Sequence, residues 1–248
     1  MIIFMRIDRL LCEMNIGSRS QVKELIKKGL VLADGEKVKR PEMQVDEREV
    51  QITCKGKEYR YSPYVYYMMN KPPGVVTATS DKRERTVLDL LKEQLLKEKE
   101  DLTGIPFKDI FPAGRLDKDT VGLLLLTSDG ALAHRLLSPK KHVPKKYFVR
   151  TDAPVTREIA DFLEKGVDMG EGETSRPALC RITGSHTCHL TITEGKYHQV
   201  KRMFQAAGLT VIFLKRLSMG PLVLDEGLKE GQVRELTQKE VADLCSMT

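Results

Sequence analysis

The stretch AGRLDKDTVGLLLLTSDG at residues 113–130 constrains this chain more than any other. An apolar run such as GLLLLTS, bounded by turn residues, reads as a strand buried on both faces. Such a strand lies inside a core, so Arg115, Asp117 and Asp119 on the glycine-bounded turn before it are held at a rigid edge. A reactive acid can be placed there. Asp also suits a turn for purely structural reasons, because its side chain bonds its own backbone and tolerates left-handed geometry.

With 248 residues, 41% of them hydrophobic, the chain can fill one large core or a small and a medium one. Lys+Arg 41 against Asp+Glu 35 leaves a charge of +6, which leans toward a polyanionic partner. Cys12, Cys54, Cys180, Cys188 and Cys245 are odd in number and form no C-x-x-C pair, as expected of reduced thiols in a cytosolic protein. His186, Cys188 and His189 lie close together, but CHLTITEG alternates like a strand and no second ligand pair follows, so no metal site is expected. No segment approaches the ~18 apolar residues of a membrane span, and MIIF is too short for a signal peptide's apolar core. The expected location is the cytoplasm, with no membrane partner. No function attaches to MIIF itself.

Residues 5–60 form an opening unit. Ser18 with Gln21 matches a capping box and Gly29 supplies a stop, which predicts a helix over about 19–28. Val22, Leu25 and Ile26 share one face. Arg19, Lys23 and Lys27 recur at i, i+4 and i+8 and line another, as a solvated face or an RNA-binding stripe. LVLADGEKV reads as a hairpin about Asp34-Gly35, and Arg6 and Arg9 on a first helix add to the cations. This segment, R-I-D-R-L-L followed by G-x-S-R-S-x-V-K-x-L-I-K-x-G-x-V-x-x-D-G, resembles the small RNA-binding domain named from a small-subunit ribosomal protein, the S-four-like domain. The resemblance implies binding of structured RNA through Arg6, Arg9, Arg19, Lys23 and Lys27, by phosphate contacts that position without reading sequence.

A boundary follows at about residues 60–64. Tyr59, Tyr61, Tyr64, Tyr66 and Tyr67 are interleaved with cations here. Tyr66 and Tyr67 read as the start of a strand, while Tyr61 and Tyr64 remain open as core residues or base-stacking platforms. From 64 to 248, strands (VYYMMN, GLLLLTS, YFVRT, CHLTITE, TVIFLKRLSMG) are separated by helices (TVLDLLKEQLLKEKE, DGALAHRLLS, TREIADFLEKG, YHQVKRMFQAAG, TQKEVADLC). The order predicts an α+β domain around an extended, mostly antiparallel sheet, with KEQLLKEKED as a solvated helix. Neither a dinucleotide fingerprint nor a phosphate-cradling P-loop is present, so no nucleotide cofactor is expected.

Three segments remain to be combined: Arg115–Asp119 on the turn, Lys145-Lys146-Tyr147 opening a strand, and EGKYHQVKR (194–202) opening a helix. Singly, each is as readily an ordinary turn, a core tyrosine or a basic helix end that binds phosphate. Together with NKPPG, HR…SP…K-x-Y and LKRLSMGPL they are similar to the rRNA pseudouridine synthases of the small-subunit (RsuA) type. The similarity extends over essentially the whole chain.

That resemblance implies a cofactor-free isomerase with Asp117 as its single essential carboxylate. It implies that Tyr147 packs against the target base, and that Lys201 is the cation beside Asp117. Arg115, Lys196, His198, Gln199 and Arg202 would hold phosphates or the flipped nucleotide, since a base within a helix cannot present its sugar bond to an acid. The family usually carries Arg at the position of Lys196 and often at Lys201, and a lysine cannot make the bidentate fork. Either lysine could then pair with Asp117. Asp119 is expected to cap the turn beside Thr120, and Asp129 to begin the helix DGALAHRLLS. The expected partner is ribosomal RNA, most directly the 16S molecule, free or in an assembly intermediate, met by a monomer. A 23S target, or a non-catalytic ribosome-assembly factor on the same fold, are the competing readings.

Overall fold

The computed structural model describes residues 4–98 and 102–247. In chain order its elements are β1 (Phe4–Arg6), α1 (Ile7–Glu13), α2 (Arg19–Lys27), β2 (Val31–Ala33), β3 (Glu36–Lys37), β4 (Gln44–Asp46), β5 (Gln51–Cys54) and β6 (Lys57–Arg60). There follow β7 (Tyr66–Lys71), α3 (Val87–Glu98), β8 (Phe111–Pro112), β9 (Val121–Thr127), α4 (Gly130–Leu137), β10 (Lys145–Thr151) and α5 (Arg157–Glu164). The chain closes with β11 (Leu179–Gly184), β12 (Thr187–Ile192), α6 (Gln199–Ala206), β13 (Val211–Met219), β14 (Leu222–Val223), β15 (Val233–Glu235) and α7 (Gln238–Cys245). Residues 99–101 of the expected solvated helix KEQLLKEKED, and the first three of MIIF, lie outside the described residues.

Two compact units result: Met1–Val65 with Leu95–Ile110, and Tyr66–Gln94 with Phe111–Thr248. Sequence reading placed 95–110 with the second unit. The structure groups it with the first, where the Gly104 amide donates to Met14 O at 2.7 Å and the Asn15 amide side chain reaches Leu102 O.

In the first unit, α2 begins with a complete capping box: the Ser18 hydroxyl accepts from the Gln21 amide while the Gln21 side chain accepts from the Ser18 amide. Val22 and Ile26 turn into a core with Ile7, Leu10, Leu11, Val31 and Ile52. The β2–β3 hairpin turns at Asp34 and Gly35, both at positive φ, as a two-residue turn of this type requires. Arg6 departs from the expected place on the first helix. It ends β1, in extended backbone, and only caps α1, because β1 pairs with β4 up to Arg6 and Gln44. Tyr61 packs against the same core and donates from its hydroxyl to Glu13 at 2.8 Å, whereas Tyr64 is exposed.

The second unit is built on a nine-stranded sheet in the order β11-β12-β10-β13-β9-β7-β15, with β8 beside β9 and β14 beside β13. Its pairings are antiparallel except β9 with β13, so the architecture is α+β with a mostly antiparallel sheet. All seven residues of β9 are buried. Leu123 and Leu125 meet Met68, Leu132, Leu136, Met219 and Leu244, while Leu124 and Leu126 alternate to the opposite face. Burial of each such leucine stabilises the fold by roughly 1.5–3 kcal/mol, which fixes the strand and the turn leading into it. Gly122 is needed where β13 comes closest: its φ is +99°, and a Cβ there would collide with the backbone of Arg216. Asp129 caps α4 by accepting from the Leu132 amide at 2.9 Å, and also accepts from the Tyr66 hydroxyl.

Candidate active site

The turn that carries Asp117 is pinned from two sides. Thr77 bonds both the amide and the carbonyl of Leu116, at 3.2 and 2.8 Å. Lys71, at the end of β7 and fully buried, donates to the carbonyls of Pro72, Asp117, Lys118 and Thr120 at 3.0–3.2 Å. Burial pulls this ammonium down to about 8, against the attraction of Asp119 and Asp117. Four carbonyls converging on one cation hold the turn as a cage. Within it the Thr120 amide donates to Asp117 O.

Asp117 projects from this cage toward the start of α6. Lys201 Nζ lies 3.3 Å from its Oδ2 and His198 Nε2 lies 3.4 Å from its Oδ1. Lys201 binds Asp119 more closely, at 2.6 and 2.8 Å to the two carboxylate oxygens. That bond, foremost, holds the Asp119 carboxyl below its ordinary range. Burial opposes the Lys201 charge, but Asp119 and then Asp117 outweigh it and raise the ammonium above its ordinary value. Asp119 is thus a partner of the lysine and not the expected turn cap: the Thr120 amide bonds the Asp117 carbonyl instead. Lys196 lines the same cavity but does not pair with Asp117: its Nζ donates to Thr174 O at 2.7 Å.

His198 reaches Asp117 because of an unusual backbone. It precedes α6 at φ 46°, a left-handed conformation rare for residues other than glycine, and stacks on the exposed ring of Tyr197 at 3.8 Å. Buried Gln199 and Glu194 maintain this loop. The Gln199 side chain accepts from the Lys196 amide and donates to Glu194, which also accepts from the Arg176 amide. Such strain persists only where its surroundings enforce it.

Asp117 opens on a cavity of about 520 Å³, lined also by Arg115, Tyr147, Lys145 and Arg216. Arg115 is exposed and makes no hydrogen bond or ion pair among the described residues. Tyr147 is buried in the middle of the sheet between Leu190 and Arg216. Arg202 points away from this cavity. Adjacent positions on a helix diverge by about 100°, so Lys201 faces Asp117 while Arg202 binds Glu173 and the carbonyls of Met169 and Gly170. Sequence reasoning singled out none of Lys71, Thr77 and Arg216, and named Lys145 and Glu194 only within their segments, without a role. For Lys71 the signal was its place in NKPPG; for Arg216, its place in LKRLSMGPL.

Among the described residues no three His, Cys, Asp or Glu side chains gather as metal ligands, and Cys188 is buried against Cys180. No helix there is long and apolar enough to cross a membrane. In the first unit, Arg19, Lys23 and Lys27 stand exposed along α2 with no salt bridge among the described residues. Arg6 and Arg9 are instead paired, with Asp8 at 2.8 Å and Glu13 at 2.7 Å.

The family model for RNA pseudouridylate synthases matches residues 65–206, and that for the S4 domain matches 5–50. An uncharacterized RNA pseudouridine synthase of Bacillus subtilis is 47% identical over 96% of this chain and 97% of its own. Ribosomal small subunit pseudouridine synthase A of Vibrio cholerae is 38% identical over 97% and 99%, and that of Escherichia coli 36% identical over 97% and 100%. A crystal structure of a pseudouridylate synthase, 36% identical, superposes with a TM-score of 0.65 over 97% of this chain and 99% of its own. With the carboxylate cavity and the RNA-binding domain in one chain, these matches are decisive: the chain belongs to the RNA pseudouridylate synthase family.

Proposed function

We propose that this protein isomerises one uridine of small-subunit ribosomal RNA to pseudouridine, with Asp117 as the essential carboxylate. The observation that carries the reading is the cage around Asp117: a turn fastened by Lys71 and Thr77 at the mouth of a cavity of about 520 Å³, with Lys201 and His198 beside the carboxylate. The reaction breaks the N1–C1′ bond, turns the base within the pocket and forms a C5–C1′ bond, with no net change in atoms. A fixed carboxylate and a cavity able to enclose one flipped nucleotide meet that demand.

Tyr147 packs against the base, and Arg115 and His198 meet the flanking backbone. Lys196, Gln199 and Arg202 serve the same end by shaping the loop and helix that carry His198 and Lys201. Arg19, Lys23 and Lys27 bind phosphates of structured RNA, with Arg6 and Arg9 as lesser contributors. The small-subunit target is supported by the Vibrio cholerae and Escherichia coli relatives, whose names specify it and whose lengths this chain matches. The protein acts in the cytoplasm, as a monomer, on ribosomal RNA or a partly assembled subunit.

Mapping pseudouridines in both ribosomal RNAs from cells lacking the protein tests this, with complementation by wild type or Asp117→Asn. One small-subunit site should vanish and return only with wild type, and Asp117→Asn should lower turnover in vitro by at least ~10³-fold. Loss of a large-subunit site would move the substrate. No lost site, or full restoration by Asp117→Asn, overturns the enzymatic reading.

A further inference from the structure

The cavity holds positive charge that the Asp117 cage leaves unused. Arg216 of β13 and Lys145 of β10 line it together with Tyr147. The register sets Arg216 beside Tyr147, and Lys145 lies two residues before Tyr147, on the same face of β10. Arg216 is 2% exposed and Lys145 7%. Neither forms a salt bridge among the described residues. Arg216 donates from Nε to Leu123 O at 2.7 Å, but its Nη2 is buried with no acceptor among the described residues. Lys145 donates to Val143 O at 3.1 Å. Burial, and then the charge of Arg216, push Lys145 down to about 8.

Two buried cations lining one cavity, close enough for the charge of Arg216 to act on Lys145 and one of them with an unmatched donor, are unfavourable until an anion arrives. The reaction supplies one. When N1–C1′ breaks, its electron pair moves onto the uracil ring and spreads over O2 and O4. C1′ is satisfied either by the Asp117 carboxylate or by passage of a C2′ proton to it. The C5 electron pair then forms C5–C1′, Asp117 is released or returns the proton, the C5 proton departs and N1 takes one up. If Asp117 adds to the ring first, negative charge still reaches a ring carbonyl oxygen.

We infer that Arg216 and Lys145 form an anion subsite that receives the carbonyl oxygens of the detached base and stabilises the uracil anion while it turns. This rests on the uridine-isomerase reading. An RNA phosphate is the other source of an anion, and it would already be bound in the ground state. The base becomes anionic only during the reaction, so the pair would act on the transition state.

The test is single-turnover conversion of the mapped RNA by the full chain, with RNA affinity measured separately. Arg216→Gln should slow conversion by about 100-fold and Lys145→Met by about 10-fold, with Kd within about threefold and partial recovery in Arg216→Lys. Calorimetry on wild type should show 5-nitrouracil, an anion at neutral pH, binding at least ~10-fold tighter than neutral uracil, with the preference lost in Lys145→Met. If Arg216→Gln fails to fold, Lys145→Met and the wild-type calorimetry decide. Unchanged rates, affinity falling in step with rate, or no preference for the nitro compound (including no binding of either) overturns the inference. Absence of any uridine conversion by wild type would instead overturn the isomerase reading, and the calorimetry does not depend on turnover.

Discussion

The two units set their most distinctive cations in opposite environments. In the first, Arg19, Lys23 and Lys27 stand in solvent along α2; in the second, Lys71, Lys145 and Arg216 are buried. An exposed ammonium keeps its hydration, is screened by salt over about 8–10 Å, and can meet any phosphate that approaches. A buried one has lost water and must be matched by groups at fixed positions. Lys71 finds four carbonyls, whereas Arg216 retains an unmatched donor. The exposed stripe therefore suits a partner whose register varies, and the buried set suits one geometry in one cavity.

Removing Lys71 should produce the largest break in this contrast. Lys71→Met leaves the carbonyls of Pro72, Asp117, Lys118 and Thr120 without their shared donor. Denaturant unfolding should show a loss of about 3 kcal/mol, against about 0.5 kcal/mol or less for Lys23→Met. Turnover should fall as well, because the Asp117 turn is then fastened by Thr77 alone. Equal, small losses for the two variants would mean that the turn holds without its cation.

The triple variant Arg19→Gln, Lys23→Gln, Lys27→Gln should act on affinity rather than on folding. If each residue meets one phosphate, the slope of log K against log salt should fall by about 2–3, at roughly 0.7–0.9 per contact. Titration of the RNA at several salt concentrations measures it. A slope that does not change would remove the stripe from the RNA interface.

How much of this contrast could be read beforehand differs between the two units. The α2 stripe was legible because helical spacing and a capping box are local: Ser18, Gln21 and Gly29 suffice to set the frame. So was β9, whose leucines need no partner to declare themselves buried. The short strands β4, β5, β6, β11 and β15 were not foreseen. Sequences such as QVD, KEYR and VRE have no apolar period, and their strand character comes from the neighbour they pair with. Within the cavity, Asp117 and Tyr147 were legible through their motifs. Arg216, and Lys71 behind the Asp117 turn, were not, and Lys145 was named without a role, because a lysine or arginine in a strand looks the same whether its end reaches water or a ring of carbonyls. The direction of Arg202 was hidden for a related reason: one helical step separates the cavity from the loop at Met169 and Gly170.

The finest distinction lies among the exposed cations themselves. Arg9 and Lys23 are both on the first unit's surface, but Arg9 Nε lies 2.7 Å from Glu13 Oε1, one turn along α1. Glu13 is fixed in turn by the Tyr61 hydroxyl at 2.8 Å, so the carboxylate stays where the arginine finds it. A phosphate meeting Arg9 must displace Glu13 or share the guanidinium with it, and the neighbouring negative charge offsets part of the attraction. At Lys23 no such exchange is required. Lys23→Gln should therefore lower the salt slope by about 0.7–0.9, and Arg9→Gln by less than about half of that. Measured with one RNA across one salt series, equal slopes for the two variants would show that Arg9 leaves Glu13 for phosphate. The paired cations would then belong to the RNA-binding surface as fully as the free ones.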